Sequence, residues 1–240
     1  EMSASLVGSE MCIRDRLNPY VNIHTHHVGE GINILDVGEG KAWVEGEEKR
    51  KSVEGQEVFY SVGVHPMKLD KLGENVFTGI EDTARMEKVI AIGECGLDRR
   101  SPICMESQEK ILEVQVGLAE KLRKPLLIHC VRAYPELIAV KKRTGSSVSW
   151  IVHGYNNNEQ ILRQLLNHGY YISVGAALLN SHSNAFQLLR VIPLEALFLE
   201  NDDNEVEIHV IYEAASAILG IEVEALKEMM RMNYNKVFGK

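Results

Sequence analysis

Cysteine is scarce, with four in 240 residues (Cys12, Cys95, Cys104 and Cys130) and no Cys-x-x-Cys pair. That argues against a disulfide framework and leaves reduced thiols as the reading. No apolar run approaches the roughly 20 residues needed to cross a bilayer, and no basic start followed by an apolar block marks a secretory signal. Basic charge is also short: 26 Lys and Arg face 34 Asp and Glu, for a net charge of −8. Such a balance excludes binding nucleic acid through a broad basic surface, but not an enzyme that grips phosphate through metal ions. Phosphate-loop and dinucleotide fingerprints are missing, since GEGK at 38–41 is too short, and no Ser or Cys sits in a nucleophile elbow. A cytoplasmic protein with no membrane attachment and no obligate protein partner is expected.

What is present is ordinary for a globular chain, 45% hydrophobic and 25% charged residues, enough for one large core. The first sixteen residues, EMSASLVGSEMCIRDR, have neither helical nor strand periodicity. They are expected to be a disordered or non-native leader, with 17–240 as a single domain. From Tyr20 onward, runs rich in Val, Ile and Tyr alternate with helix-length segments: YVNIH, VFYSVGVH, KVIAIGE, PLLIHC, VSWIVH, YYISVG and ALFLE. Helices are expected at 106–122, 135–143, 159–168, 205–219 and 222–237. This alternation predicts an α/β fold, a TIM-type (β/α) barrel. Its irregular part is 29–56, where INILDV and AWV are weak strand candidates and one barrel strand is present or missing.

Chemistry-bearing residues recur at the C-terminal ends of these runs: His24 and His26, His65, Glu94, His129, His153, and Asp202 after Phe198-Leu199-Glu200. In a parallel barrel those ends open on one face, so residues distant in sequence converge on one pocket. One histidine at a strand end is readily a core residue with satisfied nitrogens; seven coincidences point to a metal site. His24 and His26 are two apart, so an extended strand aims both at one ion, while His27 points away. Glu94 stands between Gly93 and the Cys95-Gly96 pair, where glycine permits close backbone approach, and its carboxylate suits a bridge. The acidic cluster Glu200, Asp202, Asp203, Glu205 and Glu207 reads as a solvated rim with helix N-terminal charge.

The strings IHTHH, SVGVHP, AIGECGLD, LLIHC, IVHGY, FLENDD and MNYNKVFG, in this order, resemble the TatD family of metal-dependent hydrolases in the amidohydrolase-like barrel superfamily. The short stretch after His27 is similar to a compact branch of that family. The resemblance implies two divalent ions (Zn, Mn or Mg), with His24, His26 and Asp202 on one, His129 and His153 on the other, and Glu94 between. It also implies phosphodiester hydrolysis, a 3'-5' exonuclease type of deoxyribonuclease acting on DNA or a nucleotide. Three positions depart from the family pattern: Asn22 replaces an Asp, Val131 an Arg, and Asn201 the Thr of Glu-Thr-Asp. They bear on phosphate grip more than on metal binding.

Two ions would lower the pKa of a water toward about 7 and clamp attacking and leaving oxygens. Asp202 and Glu94 are the expected catalytic carboxylates, Asp202 taking or passing the water's proton. His65 and Arg132 are expected to touch substrate phosphate. The alternative is an amidohydrolase-type enzyme opening a small amide, lactone or ester. Barrels of that kind often bridge their metals through a carboxylated lysine on the fourth strand, where this chain has His129, and use of Glu94 on the third favours the phosphodiesterase.

Overall fold

The apolar runs become strands of one sheet. The computed structural model describes residues 18–38, 55–69 and 76–239. Its strands are β1 (Val21–Thr25), β2 (Gly31–Asp36), β3 (Gln56–Val62), β4 (Val89–Asp98), β5 (Leu126–Val131), β6 (Trp150–Val152), β7 (Tyr170–Val174) and β8 (Leu197–Leu199). Each pairs in parallel with the next, in chain order from β1 to β8. Such strands are covered on both faces, so they carry continuous apolar residues: β1 and β4 bury every position. The barrel nearly closes where β8 returns to β1. There Thr25 bridges Asp202, Asp202 N donates to the His24 carbonyl at 3.1 Å, and His26 N donates to the Asp202 carbonyl at 3.1 Å.

Helices fill the intervals: α1 (Val76–Ala84), α2 (Met105–Leu122), α3 (Tyr134–Thr144), α4 (Glu159–Asn167), α5 (Asn184–Leu188), α6 (Ile208–Leu219) and α7 (Val223–Phe238). Helix α2 buries Leu112, Val116 and Ala119, a stripe at four- and three-residue spacing that faces the sheet. Helix α3 starts with Pro135 in its first turn and stops at Gly145 in the left-handed conformation (φ 61°), with Lys141, Lys142 and Arg143 at its carbonyl end. In α6 the Tyr212 hydroxyl accepts from Val21 N at 3.1 Å and donates to the Val21 carbonyl at 3.0 Å, fixing the entry to β1. Among the described residues no helix is long and apolar enough to cross a membrane. Cys95, Cys104 and Cys130 are free thiols.

The expected barrel is therefore observed, and the strand in doubt is INILD, as β2. Residues 1–16 and the AWV candidate lie outside the described residues. Strand β4 runs four residues beyond Glu94, so Glu94 sits within its strand rather than at its end. Helix α1 was not anticipated, because VFTGIEDTA mixes Gly and Thr with apolar residues and offers little helix propensity.

Candidate metal centre

The C-terminal ends of the strands form a cleft of about 300 Å³ lined by His26, His65, Glu94, His129, His153 and Asp202, with Cys130, Val131, Gly154 and Asp203. His24 lies beneath it, fully buried. Local backbone places these side chains. Strand β5 passes so close to β4 that a Cβ at Gly93 would stand 2.5 Å from the Leu127 carbonyl oxygen, and one at Gly96 1.9 Å from that of His129. Both glycines also have φ near 150° (150° and 148°), so the residues around Glu94 satisfy sterics that no side chain could. Asp202 adopts a left-handed backbone (φ 55°), which Asp tolerates, and its seam bonds set it beside His24 in β1 and His26 just past it.

Glu94 divides the site. Its Oε1 lies 2.9 Å from His129 Nδ1, 2.9 Å from His153 Nε2 and 3.3 Å from His65 Nε2, whereas Oε2 faces His24 Nε2 at 3.8 Å. Asp202 Oδ1 lies 3.3 Å from His24 Nε2 and 3.6 Å from His26 Nε2. Three sets of ligand atoms fall within 4.8 Å of one another: His24, His153 and Asp202; His24, His26 and Glu94; and His65, Glu94 and His129. Buried His24 Nδ1 and Nε2 and His153 Nδ1 have no hydrogen-bond partner among the described residues. Orphaned ring nitrogens in a dry site are costly unless something accepts their lone pairs. A divalent cation fits that donor set of imidazoles and carboxylates.

Charge in the cluster is mutually compensating. Burial pushes the Glu94 carboxyl up, but His153, His129 and His65 outweigh it and hold the group well below the usual carboxylate range. For His153 burial pushes down and Glu94 with Glu200 prevails, raising it well above the ordinary value. His24 is likewise raised against burial and the neighbouring His153, by Asp202, Glu94 and Glu200. Asp202 is lowered by His24 and His153 despite burial.

All six expected ligands meet around this cleft, as does His65. Arg132 is exposed one residue beyond the lining, with a left-handed backbone (φ 55°) and its carbonyl accepting from Arg99 Nε at 2.7 Å. His27 is exposed and turned away, held by Thr25. Glu200 corrects the reading of the acidic cluster as a solvated rim. It is fully buried, accepts Ser173 Oγ at 2.6 Å and Gly154 N at 2.5 Å, and stands 3.7 Å from His153 Nδ1. Asn22 and Asn201 pair across the seam, Asn22 Nδ2 donating to Asn201 Oδ1 at 2.8 Å and Asn201 N to Asn22 Oδ1 at 3.1 Å.

Two carboxylates escaped the sequence reading. Asp98 Oδ2 lies 2.9 Å from His129 Nε2, and Arg100 grips the same carboxylate through Nε and Nη2. Asp36 Oδ1 accepts Glu94 N at 2.9 Å. Signals for both existed: Asp98 follows Glu94 by four residues in an extended run, and Asp36 ends INILD as the other site residues end theirs.

The family model described as TatD related DNase matches residues 20–239. The chain belongs to this family. An uncharacterized metal-dependent hydrolase, YabD of Bacillus subtilis (strain 168), is 26% identical over 150 residues, 60% of this chain and 58% of that protein. The 3'-5' ssDNA/RNA exonuclease TatD of Edwardsiella piscicida is 32% identical over 146 residues, 59% of this chain and 56% of its own length. These matches thus span a little over half of each relative. The crystal structure of the TatD homolog YJJV from Escherichia coli superposes with a TM-score of 0.75 at 21% identity, covering 99% of this chain and 95% of that one. At that identity the likeness speaks for the TatD barrel alone.

Proposed function

We propose that this TatD-family chain is a divalent-metal-dependent phosphodiesterase, a 3'-5' exonuclease on single-stranded DNA or RNA, with 17–240 as its catalytic domain. The observation that carries the reading is Glu94, whose two oxygens face different imidazole sets, as a carboxylate shared by two ions requires. His24, His26 and Asp202 would hold one ion, His129 and His153 the other, with Glu94 between them. Two such ions (Zn, Mn or Mg) would supply Lewis-acid polarisation of a water and of the phosphate oxygens. Asp202, lowered in pKa and therefore ionised at neutral pH, would accept the proton of the attacking water and pass it to the leaving 3' oxygen as the P–O3' bond breaks. Its side chain is 38% exposed, on the open side of the cleft where a water can enter. Arg132, exposed one residue beyond the lining, would bind a flanking phosphate through its planar fork.

The test is digestion of 5'-labelled single-stranded DNA and RNA by protein loaded with zinc, manganese or magnesium, run beside bis-aryl phosphate and a panel of amides and lactones. A ladder shortening from the 3' end is expected. Turnover of an amide or lactone with none of a diester would replace this reading by the amidohydrolase one.

A further inference from the structure

Both halves of the cleft depend on Glu94, yet Glu94 has no opposite residue of its own in either neighbouring ladder. Pairing of β4 with β5 runs from Ile92 opposite Leu126 to Cys95 opposite Ile128, so Gly93 and Glu94 together face the single residue Leu127. On the other flank, pairing of β3 with β4 ends at Val62 opposite Ile92, just before Gly93. Two residues against one make a β-bulge, which re-aims a side chain out of a regular strand. Glycines at 93 and 96 (φ 150° and 148°) flank Glu94, and glycine restrains its own backbone less than any other residue. A carboxylate that meets imidazoles on two sides needs its main chain fixed by something besides the sheet.

That bond comes from two strands away. Glu94 N donates to Asp36 Oδ1 at 2.9 Å, a contact that reaches from the end of β2 past β3 to β4. The end of β2 is itself secured on β3. Asp36 lies opposite Ser61, whose Oγ donates to the same Asp36 oxygen at 3.4 Å; Val37 N donates to the Ser61 carbonyl at 3.1 Å, and Gly63 N to the Gly38 carbonyl at 3.0 Å. Ser61 is fully buried and Asp36 half-buried. Asp36 belongs neither to the cleft lining nor to the three sets of ligand atoms. Among the described residues, its hydrogen bond to the site is to the Glu94 main chain.

We propose that Asp36 is a positioning residue for Glu94: by accepting the Glu94 N–H it sets the main chain of the bulge, and with it the direction in which the carboxylate presents its two oxygens. This deepens the metal-dependent reading and rests on Glu94 as a metal carboxylate. Oε1 lies 2.9 Å from both His129 Nδ1 and His153 Nε2, and Oε2 3.8 Å from His24 Nε2, so a turn of the bulge moves the carboxylate against all three rings at once. Such constellations need their groups held to within about 0.5 Å. Loss of the Asp36 bond therefore weakens both ions together, by the roughly 10- to 100-fold that removal of a supporting partner costs, whereas a brace behind one histidine weakens one ion.

The experiment compares wild type, Asp36→Ala, Asp36→Ser and Asp36→Asn as stripped proteins titrated with manganese, followed by calorimetry and electron paramagnetic resonance, with circular dichroism as the check of folding. No turnover is needed. Two manganese ions that share a carboxylate are magnetically coupled, so the spectrum of the filled site reports how Glu94 is placed. Asp36→Ala should bind both ions roughly 10- to 100-fold more weakly and lose the coupled spectrum. Asp36→Ser, with a shorter side chain, should behave alike and takes its place if Asp36→Ala does not fold. Asp36→Asn keeps a carbonyl oxygen at the same point and should recover most of the affinity and the coupling. Wild-type affinities with a coupled spectrum in Asp36→Ala would overturn the proposal. So would loss of one ion alone, or an Asp36→Asn as weak as Asp36→Ala, which would assign the effect to charge instead of the accepted hydrogen. Wild type that takes up a single ion per chain would overturn the two-ion reading separately; Asp36→Ala weakening that ion would then uphold the positioning role, and an unchanged affinity would overturn it too.

Discussion

The two sides of the cleft are built differently. On the β4–β6 side His129 and His153 each have a carboxylate behind them, Asp98 at 2.9 Å and Glu200 at 3.7 Å, and those carboxylates are held in turn by Arg100, Ser173 and Gly154. On the β1–β8 side His24 is buried with neither ring nitrogen hydrogen-bonded, and His26 and Asp202 are one-third exposed or more. That side is held by backbone instead, through the seam bonds and the Asn22–Asn201 pair. One half is oriented by charge behind its ligands, the other by chain closure in front of them. The braced half is expected to bind its ion more tightly, because outer partners fix ring orientation and raise ligand basicity.

The largest effect tests whether the halves are one site or two. Glu94→Ala removes the carboxylate that both face, so both ions should be lost and turnover should fall to background, as elemental analysis and the DNA assay would report. If the β4–β6 side keeps one ion per chain in this variant, the halves are independent and Glu94 is not a bridge.

Next in size is Asp202→Asn. Its backbone bonds to β1 do not depend on the side chain, and His24, His26 and Glu94 still face that half. An amide cannot take a proton from water, so turnover should fall by roughly 10²-fold or more while most of the metal stays bound. Metal loss in proportion to lost turnover would mean that Asp202 acts chiefly as a ligand.

The contrast between halves also explains what was legible in the sequence. The seven strands read from apolar runs are all present, because a parallel strand buried on both faces leaves a continuous Val, Ile and Leu signature. Strand β2 was weaker, since Asn33 interrupts it; that side chain is spent on the Gly29 and Gly31 carbonyls, a role only the fold reveals. The ligands themselves were readable, because strand ends converge by topology. Which histidine each supporting carboxylate meets was not. Asp98 and Glu200 act through contacts between strands: Asp98 through the β4–β5 register that sets Gly96 opposite His129, and Glu200 by reaching across to β6 and β7. Spacing within one segment puts Asp98 on the face of Glu94 but does not encode those contacts.

Asp98→Asn measures the brace directly. The affinity of the β4–β6 ion should fall by roughly 10- to 100-fold, with the β1–β8 ion less affected, in a titration of stripped protein. A second readout is acid stability without metal. Burial pushes Asp98 up, but Arg100 and His129 prevail and hold its carboxyl at about 2 instead of 3.8. A carboxyl lowered by folding contributes stability that is present above its unfolded pKa and is lost as pH falls through its folded one. The melting temperature of stripped wild type should therefore decline more steeply than that of Asp98→Asn between about pH 4 and pH 2. Parallel curves would show that the Asp98 charge does not support the fold.

The smallest effect is expected at Glu200→Gln, for a reason visible in its partners. Glutamine is the same shape, so its carbonyl oxygen can keep the Gly154 N–H, while its amide nitrogen faces Ser173, whose hydroxyl can turn to accept. Only the charge is lost. At 3.7 Å from His153 Nδ1 that charge acts across space and not through a hydrogen bond, unlike Asp98 on His129. Ion affinity on the β4–β6 side should therefore fall by less than the roughly 10-fold expected for loss of a hydrogen-bonded support, and turnover should change in step. A loss equal to that of Asp98→Asn would make the two braces equivalent and the Glu200–His153 contact short enough for a hydrogen bond. If instead Glu200→Gln abolishes turnover while Asp202→Asn leaves it near wild type, the proton of the attacking water goes to Glu200, and the β1–β8 half has no catalytic carboxylate of its own.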